Sequence, residues 1–139
     1  MTTLAESRLV LVIAGAAILD RGRVLAAKRA EPPELAGGWE FPGGKVEPGE
    51  APEDAVVREC REELGVEIAL VERLGHDIAV SHDTAVLRVW TARIVSGTPT
   101  ALEHAELRWL PAEELFDVPW LPADLPLVRA LGRLLPCRP

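Results

Sequence analysis

An α/β fold with a mixed β-sheet held between helices follows from three observations on the sequence. Residues 9–19, LVLVIAGAAIL, form a nearly unbroken apolar run, as expected of a strand covered on both faces. Residues 51–64 open with Pro52, Glu53 and Asp54 beside the positive end of a helix dipole and stop at Gly65, the residue type that favours a left-handed cap. Further strand-like segments follow, with a second helical stretch near the C-terminus, and strands flanked by two helices pack as layers.

Each element has a local cause. Asp20-Arg21-Gly22 reads as a hairpin turn and residues 23–29 as the returning strand. Two prolines and two glycines make residues 30–38 a loop. Trp39-Glu40-Phe41 is a short strand leading to a turn at Gly43-Gly44, and Pro48-Gly49 marks the turn before the helix. Residues 66–74 and 84–95 read as strands joined by a bend over Gly75 to Asp83. Residues 96–105 are a loop, 106–110 a strand and 111–115 one helical turn. The last helix spans about residues 123–135, stopped by Pro136. There is no internal repeat or low-complexity segment, so residues 1–139 read as a single domain.

Composition narrows the function classes. A chain that is 48% hydrophobic and 27% charged is globular rather than disordered. A net charge of −7 argues against a nucleic-acid polymer as partner, because such binding needs a cationic footprint. A small polyanion bridged by a metal remains compatible with it. Cys60 and Cys137 have neither disulfide-framework nor zinc spacing, and Cys60, on the apolar side of the helix, reads as a reduced, buried thiol. The apolar run at 9–19 is too short to span a membrane, and Glu6 stands where a leader would carry a basic flank. The expectation is a cytoplasmic protein with no membrane partner, monomeric or homodimeric.

On the first helix Glu59, Glu62 and Glu63 are spaced i, i+3, i+4 and share one face, while Val56, Val57, Cys60 and Leu64 form the neighbouring apolar face. On a solvated surface three such acids are a mild cost. In a cleft they need a counter-charge, which a hard divalent cation supplies, and magnesium usually completes its shell with water and substrate phosphates. Their spacing adds more. Gly44, five residues, Glu50, seven residues, then Arg58-Glu59-Cys60-Arg61-Glu62-Glu63-Leu64-Gly65-Val66 resembles the Nudix box, G-x5-E-x7-R-E-u-x-E-E-x-G-u with u a bulky apolar residue, over residues 44–66. The preceding WEFPGGK makes the chain similar to the MutT-like members of the Nudix hydrolases.

That resemblance implies the same α/β/α sandwich and hydrolysis of a diphosphate bond in a nucleotide. By position, Glu59, Glu62 and Glu63 would ligate Mg²⁺ or Mn²⁺, with the backbone carbonyl of Gly43 or Gly44 as a further ligand. Glu50 and Arg58 would orient the helix and its acids through charge-assisted hydrogen bonds, with a direct catalytic role for Glu50 as the alternative. MutT-type enzymes also use a glutamate in the loop before the final strand, a place that Glu103 holds here, as metal ligand or general base. Whether Glu59 or Glu103 deprotonates the water stays open. Arg29 stands where MutT-like enzymes contact phosphate, and Lys45 is a further phosphate candidate that could equally pair with a carboxylate.

The base has its own candidates. Trp39 or Phe41 could stack on it or belong to the core. The segment from Gly75 to Thr84, with His82 and Asp83, would line one side of the pocket. Pro122-Ala123-Asp124 aligns with the Pro-Ala-Asn by which MutT-type enzymes hold the base. An ionised aspartate only accepts hydrogen bonds, so Asp124 would prefer an exposed amino group such as cytosine N4, with the N1 and N2 hydrogens of a guanine also acceptable to it. Asp124 could also simply start the last helix. The expected activity is a Mg²⁺-dependent nucleoside triphosphate pyrophosphohydrolase favouring CTP, dCTP or 5-methyl-dCTP. The alternatives are sanitation of 8-oxo-dGTP and, from another class, a non-catalytic nucleotide-binding module.

Overall fold

The computed structural model describes residues 11–80 and 84–136. In chain order these form β1 (Leu11–Asp20), β2 (Arg23–Lys28), β3 (Trp39–Glu40), β4 (Gly43–Lys45), helix α1 (Pro52–Leu64), β5 (Glu67–Val80), β6 (Ala85–Ser96), β7 (Glu106–Pro111), a 3₁₀ turn at Ala112–Glu114 and helix α2 (Leu125–Gly132). The strands run β3-β2-β1-β6-β5, with β4 added to β1 and β7 to β2. Among the strands of the described residues β1 and β6 pair in parallel and the other pairs are antiparallel, with an isolated parallel bridge between Trp39 and Trp120. This is the mixed sheet between helices that the sequence predicts.

Alternation along β1 builds a core on each face, as the pleat requires. Ala14, Ala16 and Ile18 meet Val56, Cys60 and Leu64 of α1. Ala17 belongs to the other core, with Leu127, Val128 and Leu131 of α2. Cys60 is fully buried, and burial pushes its thiol well above the ordinary value, with the charges of Glu63 and Glu59 adding to the effect. Helix α1 has Pro52 in its first turn and Gly65 as a left-handed cap at φ 72°, whose N–H donates to the Arg61 carbonyl at 3.0 Å.

Three boundaries differ from the sequence expectation, and each has a physical reason. The Gly43-Gly44 pair is a strand rather than a turn, paired with Gly15 and Ala14 of β1. A Cβ on Gly43 would strike the Ala14 carbonyl, so these glycines serve close approach. Gly75 does not start a bend: β5 continues to Val80, with a register shift against β6 between Leu74 and Ile78. Gly75 takes φ 62° there, and Asp77 is clamped by Arg88 at 3.0 and 2.7 Å, so the extra residues form a bulge and pairing resumes at Ile78. Helix α2 is shorter than expected, entering at Leu125 and ending at Gly132.

The segment from Trp39 to Lys45 positions the site. Its first half pairs with β2, its second half pairs with β1, and between them the Ala16 N–H donates to the Pro42 carbonyl at 2.9 Å. Strands β1 and β2 pair only at Leu19–Asp20 against Arg23–Val24, so the two parts of the sheet separate beyond that point. The crossing segment lies where they part.

Candidate active site

At that split a cleft of about 1250 Å³ opens, lined by Arg29, Phe41, Lys45, Glu59, Glu63, Glu103 and Asp124 among others. This is room enough for a nucleotide. Nine residues singled out for binding or chemistry, these seven with Gly43 and Gly44, thus meet although they are spread along the chain from 29 to 124.

The acidic end is set by α1 packing against β4. Because Val56, Cys60 and Leu64 face the core, Glu59 and Glu63 are turned onto the two glycines. Glu63 Oε1 accepts the Gly43 N–H at 3.2 Å, and the Glu59 carboxylate lies so close over Gly44 that a Cβ there would collide with it. Glu63 is 9% exposed, and its carboxyl is pushed up to about 8, first by burial, then by the charge of Glu59, against the stabilising Gly43 N–H. Two oxygen-donor acids with this surplus of negative charge suit a hard divalent cation.

Glu62 is placed differently from the shared cluster expected. Its side chain is 51% exposed and accepts from Arg58 at 3.2 Å rather than lining the cleft. Among the described residues no three acidic, histidine or cysteine side chains converge as a ready-made metal cage. Arg58 is the reason for Glu62's position. It donates to both Glu50 oxygens at 2.8 and 3.1 Å, to Glu59 and Glu62 at 3.2 Å each, and to the Lys45 carbonyl at 3.2 Å. Arg58, with the Glu47 N–H, holds the Glu50 carboxyl below its usual range. Neither Glu50 nor Arg58 lines the cleft; Arg58 instead ties Glu50 to Glu59, as the positioning role expected of the pair requires, and the geometry offers no support for a direct catalytic role of Glu50.

At the other end Asp124 is 5% exposed, and its Oδ2 accepts the Phe41 N–H at 3.0 Å. It makes no side-chain cap on α2, so helix initiation is not what its carboxylate does. Burial pushes it up to about 7; the Phe41 N–H opposes this, the Glu40 charge adds to it and Arg29 lowers it. The accept-only aspartate expected from the sequence thus sits where burial favours its protonated form and raises the carboxyl toward neutral pH. Phe41 reaches the cleft and stacks at a tilt on Trp120, with centroids 5.1 Å apart. Trp39 is core, 5% exposed and absent from the lining. The lining is also apolar in part, with Ile78 and Val80 supplied by β5 beyond the bulge and Leu87 by the neighbouring strand β6. His82 and Asp83 lie outside the described residues.

Arg29 directs Nε to the Glu31 carbonyl and a terminal nitrogen to Glu40 Oε1, both at 3.0 Å. These bonds engage Nε and Nη1, leaving Nη2 and the second Nη1 hydrogen for a ligand. Lys45 lines the cleft and makes no ion pair with a described residue, so the carboxylate pairing considered for it is not seen. Of the polar lining residues, Glu31 and Glu40 escape selection from the sequence, and His104 enters there only as a neighbour of Glu103. Glu40 had a signal: it is a lone acid between two aromatics in a strand, where alternation turns it away from the core.

Comparison with known proteins agrees with this geometry. The NUDIX domain family profile matches residues 10–131. A putative 8-oxo-dGTP diphosphatase 2 of Mycobacterium tuberculosis is 46% identical over 129 residues, covering 90% of this chain and 89% of the relative. The CTP pyrophosphohydrolase of Escherichia coli is 44% identical over 126 residues, covering 89% and 93%. Among solved structures, the E. coli ORF135 protein superposes with a TM-score of 0.78 at 36% identity, covering 96% of this chain and 95% of that one. A MutT NUDIX hydrolase from Burkholderia pseudomallei gives 0.76 at 34% identity, covering 88% and 98%. The chain belongs to the Nudix family, in its MutT-like part, and is a hydrolase of phosphorus-containing anhydrides.

Proposed function

We propose that the protein hydrolyses a nucleoside triphosphate to the monophosphate and pyrophosphate, favouring a cytosine base as in CTP, dCTP or 5-methyl-dCTP. The observation that carries the choice is Asp124. Phe41 N–H occupies one carboxylate oxygen, leaving the other as an acceptor beside an apolar wall. An ionised carboxylate there accepts from cytosine N4. The likeness to the E. coli CTP pyrophosphohydrolase supports the same reading.

Glu59, Glu63 and Glu103, with a carbonyl of Gly43 or Gly44, would hold Mg²⁺ or Mn²⁺, which when bound neutralises phosphate charge and orients water, and Glu62 would join them only by leaving Arg58. Arg29 binds phosphate through the N–H groups that Glu31 and Glu40 leave free, and Lys45 adds a mobile positive charge. Glu59 or Glu103 takes the proton of the attacking water as the anhydride bond breaks. Phe41 stacks on the base.

The second reading, an oxidised guanine nucleotide, is favoured by the likeness to the M. tuberculosis protein and by the proton that Asp124 gains near pH 7, which lets it donate as well as accept. Steady-state kcat/KM for CTP, dCTP, 5-methyl-dCTP, 8-oxo-dGTP and ADP-ribose at pH 8 tests both. A cytosine nucleotide is expected to lead; 8-oxo-dGTP in first place overturns the cytosine preference, and absence of turnover on all five overturns the hydrolase assignment to nucleotides.

A further inference from the structure

His104 is absent from every role assigned so far, yet it is a built part of the cleft wall. Its side chain is 6% exposed, and Nε2 lies 3.0 Å from Glu40 Oε2. Its other nitrogen, Nδ1, is buried and has no partner among the described residues, so Glu40 is the ring's one polar tie there. Glu40 uses its remaining oxygen, Oε1, for Arg29 at 3.0 Å. The result is a continuous chain, His104–Glu40–Arg29, running from the 96–105 loop across β3 to the end of β2.

The same loop carries Glu103, which is suspended between anchors on either side. Leu102 N–H donates to the Glu63 carbonyl at 3.2 Å, and Ala105 N–H donates to the Lys28 carbonyl at 2.9 Å. The side chain adjoining Glu103 on its C-terminal side is the imidazole held by Glu40. We propose that His104 is a positioning residue for the reaction, holding Glu103 over the cleft and, through Glu40, keeping the Arg29 guanidinium aimed at phosphate. The inference rests on the hydrolase reading above.

The physical reason is that a carboxylate with both oxygens engaged has one orientation. If His104 is removed, Glu40 is free to turn, either closing bidentately on Arg29 and competing with phosphate or swinging toward the metal-binding acids. Glu103 at the same time loses its neighbouring side-chain anchor. Both effects fall on reaction geometry, where displacement of a reacting group by about 1 Å costs on the order of a hundredfold.

The test compares wild type, His104→Phe, His104→Gln, Glu40→Gln and the His104→Phe/Glu40→Gln pair in Mg²⁺-dependent CTP hydrolysis, with thermal melts alongside. His104→Phe keeps buried volume without the tie, and kcat is expected to fall about 10- to 100-fold with a rise in KM, the size seen for partners that orient a site's ligands. Gln offers an N–H at similar reach and should restore most of the loss, which a role in packing alone would not produce. The double variant should lose no more than the worse single one. The proposal is overturned if His104→Phe matches wild type, if Gln is as impaired as Phe, or if the losses of the pair multiply. Should His104→Phe fail to fold, Glu40→Gln against His104→Gln reads the same tie, with Glu40→Gln impaired and His104→Gln active as the expected result and the reverse overturning it. Failure of the hydrolase reading is distinguishable, because it silences the wild-type protein on every nucleotide.

Discussion

At Gly43 and Gly44 the cleft presents several acids crowded together, with Glu63 raised to about 8 by burial and by Glu59. Two residues earlier, at Phe41, it presents a single acid, Asp124, raised to about 7 chiefly by burial. Two residues of extended chain separate the backbone groups that hold these ends by roughly 7 Å. The first end is under charge pressure that a proton on Glu63 or a bound cation relieves, whereas the second is poised by desolvation and can change its hydrogen-bonding character with one proton. In the proposed function, reaction chemistry falls to the first end and base choice to the second.

The largest test of this division removes the charge relief. Chelation of divalent metal is expected to abolish turnover on every nucleotide, with recovery on adding Mg²⁺; Glu63→Gln should cost on the order of a hundredfold or more without changing the order of substrate preference. A changed order would mean that the two ends are not separable. Next in size, Glu103→Gln should lower kcat by about a hundredfold if Glu103 is the base, and near-wild-type turnover would leave Glu59 in that role.

Asp124→Asn acts on the other end. The ratio of kcat/KM for CTP over 8-oxo-dGTP should fall by about tenfold, roughly the worth of one hydrogen bond, while turnover on the better substrate survives. Equal loss on all bases would make Asp124 structural. Its titration gives a matched signature. In wild type the CTP preference should rise with pH through about 7 as Asp124 ionises, and Asp124→Asn should flatten that profile. The stability sign is opposite. A carboxyl whose folded value, about 7, lies above its ordinary 3.8 contributes stability that is present at low pH and lost as pH rises toward 7. Wild-type Tm measured against Asp124→Asn should therefore decline across that window. The smallest effect belongs to Arg58→Lys, which loses the two-pronged grip on Glu50 but keeps a charge near Glu59 and Glu62; kcat should drop about tenfold with KM for all bases unchanged.

Local chemistry explains why so much of this was legible. Pro52, the first-turn acids and Gly65 define α1 by themselves, and once it is a helix Glu59 and Glu63 must share a face. The apolar run of β1 and the turn at residues 20–22 likewise need no distant partner. The errors are of another kind. Gly75 has the same backbone freedom in a bend as in a bulge, and only pairing of Ile78 with Leu87 decides between them. Trp39 and Phe41 are equivalent by alternation, and only the packing of Trp120 and the opening of the cleft separates core from lining. Glu62 matches the box as well as Glu63 does, yet Arg58 draws it outward.

By itself, then, the sequence determined the reaction type, because the motif that signals it lies within one helix and the short segment before it, where spacing along the chain is close to spacing in space. Only the tertiary structure decided the protonation of Asp124, the exclusion of Trp39 and the His104–Glu40–Arg29 chain. Each of these depends on burial or on contacts between residues 11 to 83 positions apart, and neither desolvation nor long-range contact is written in local spacing.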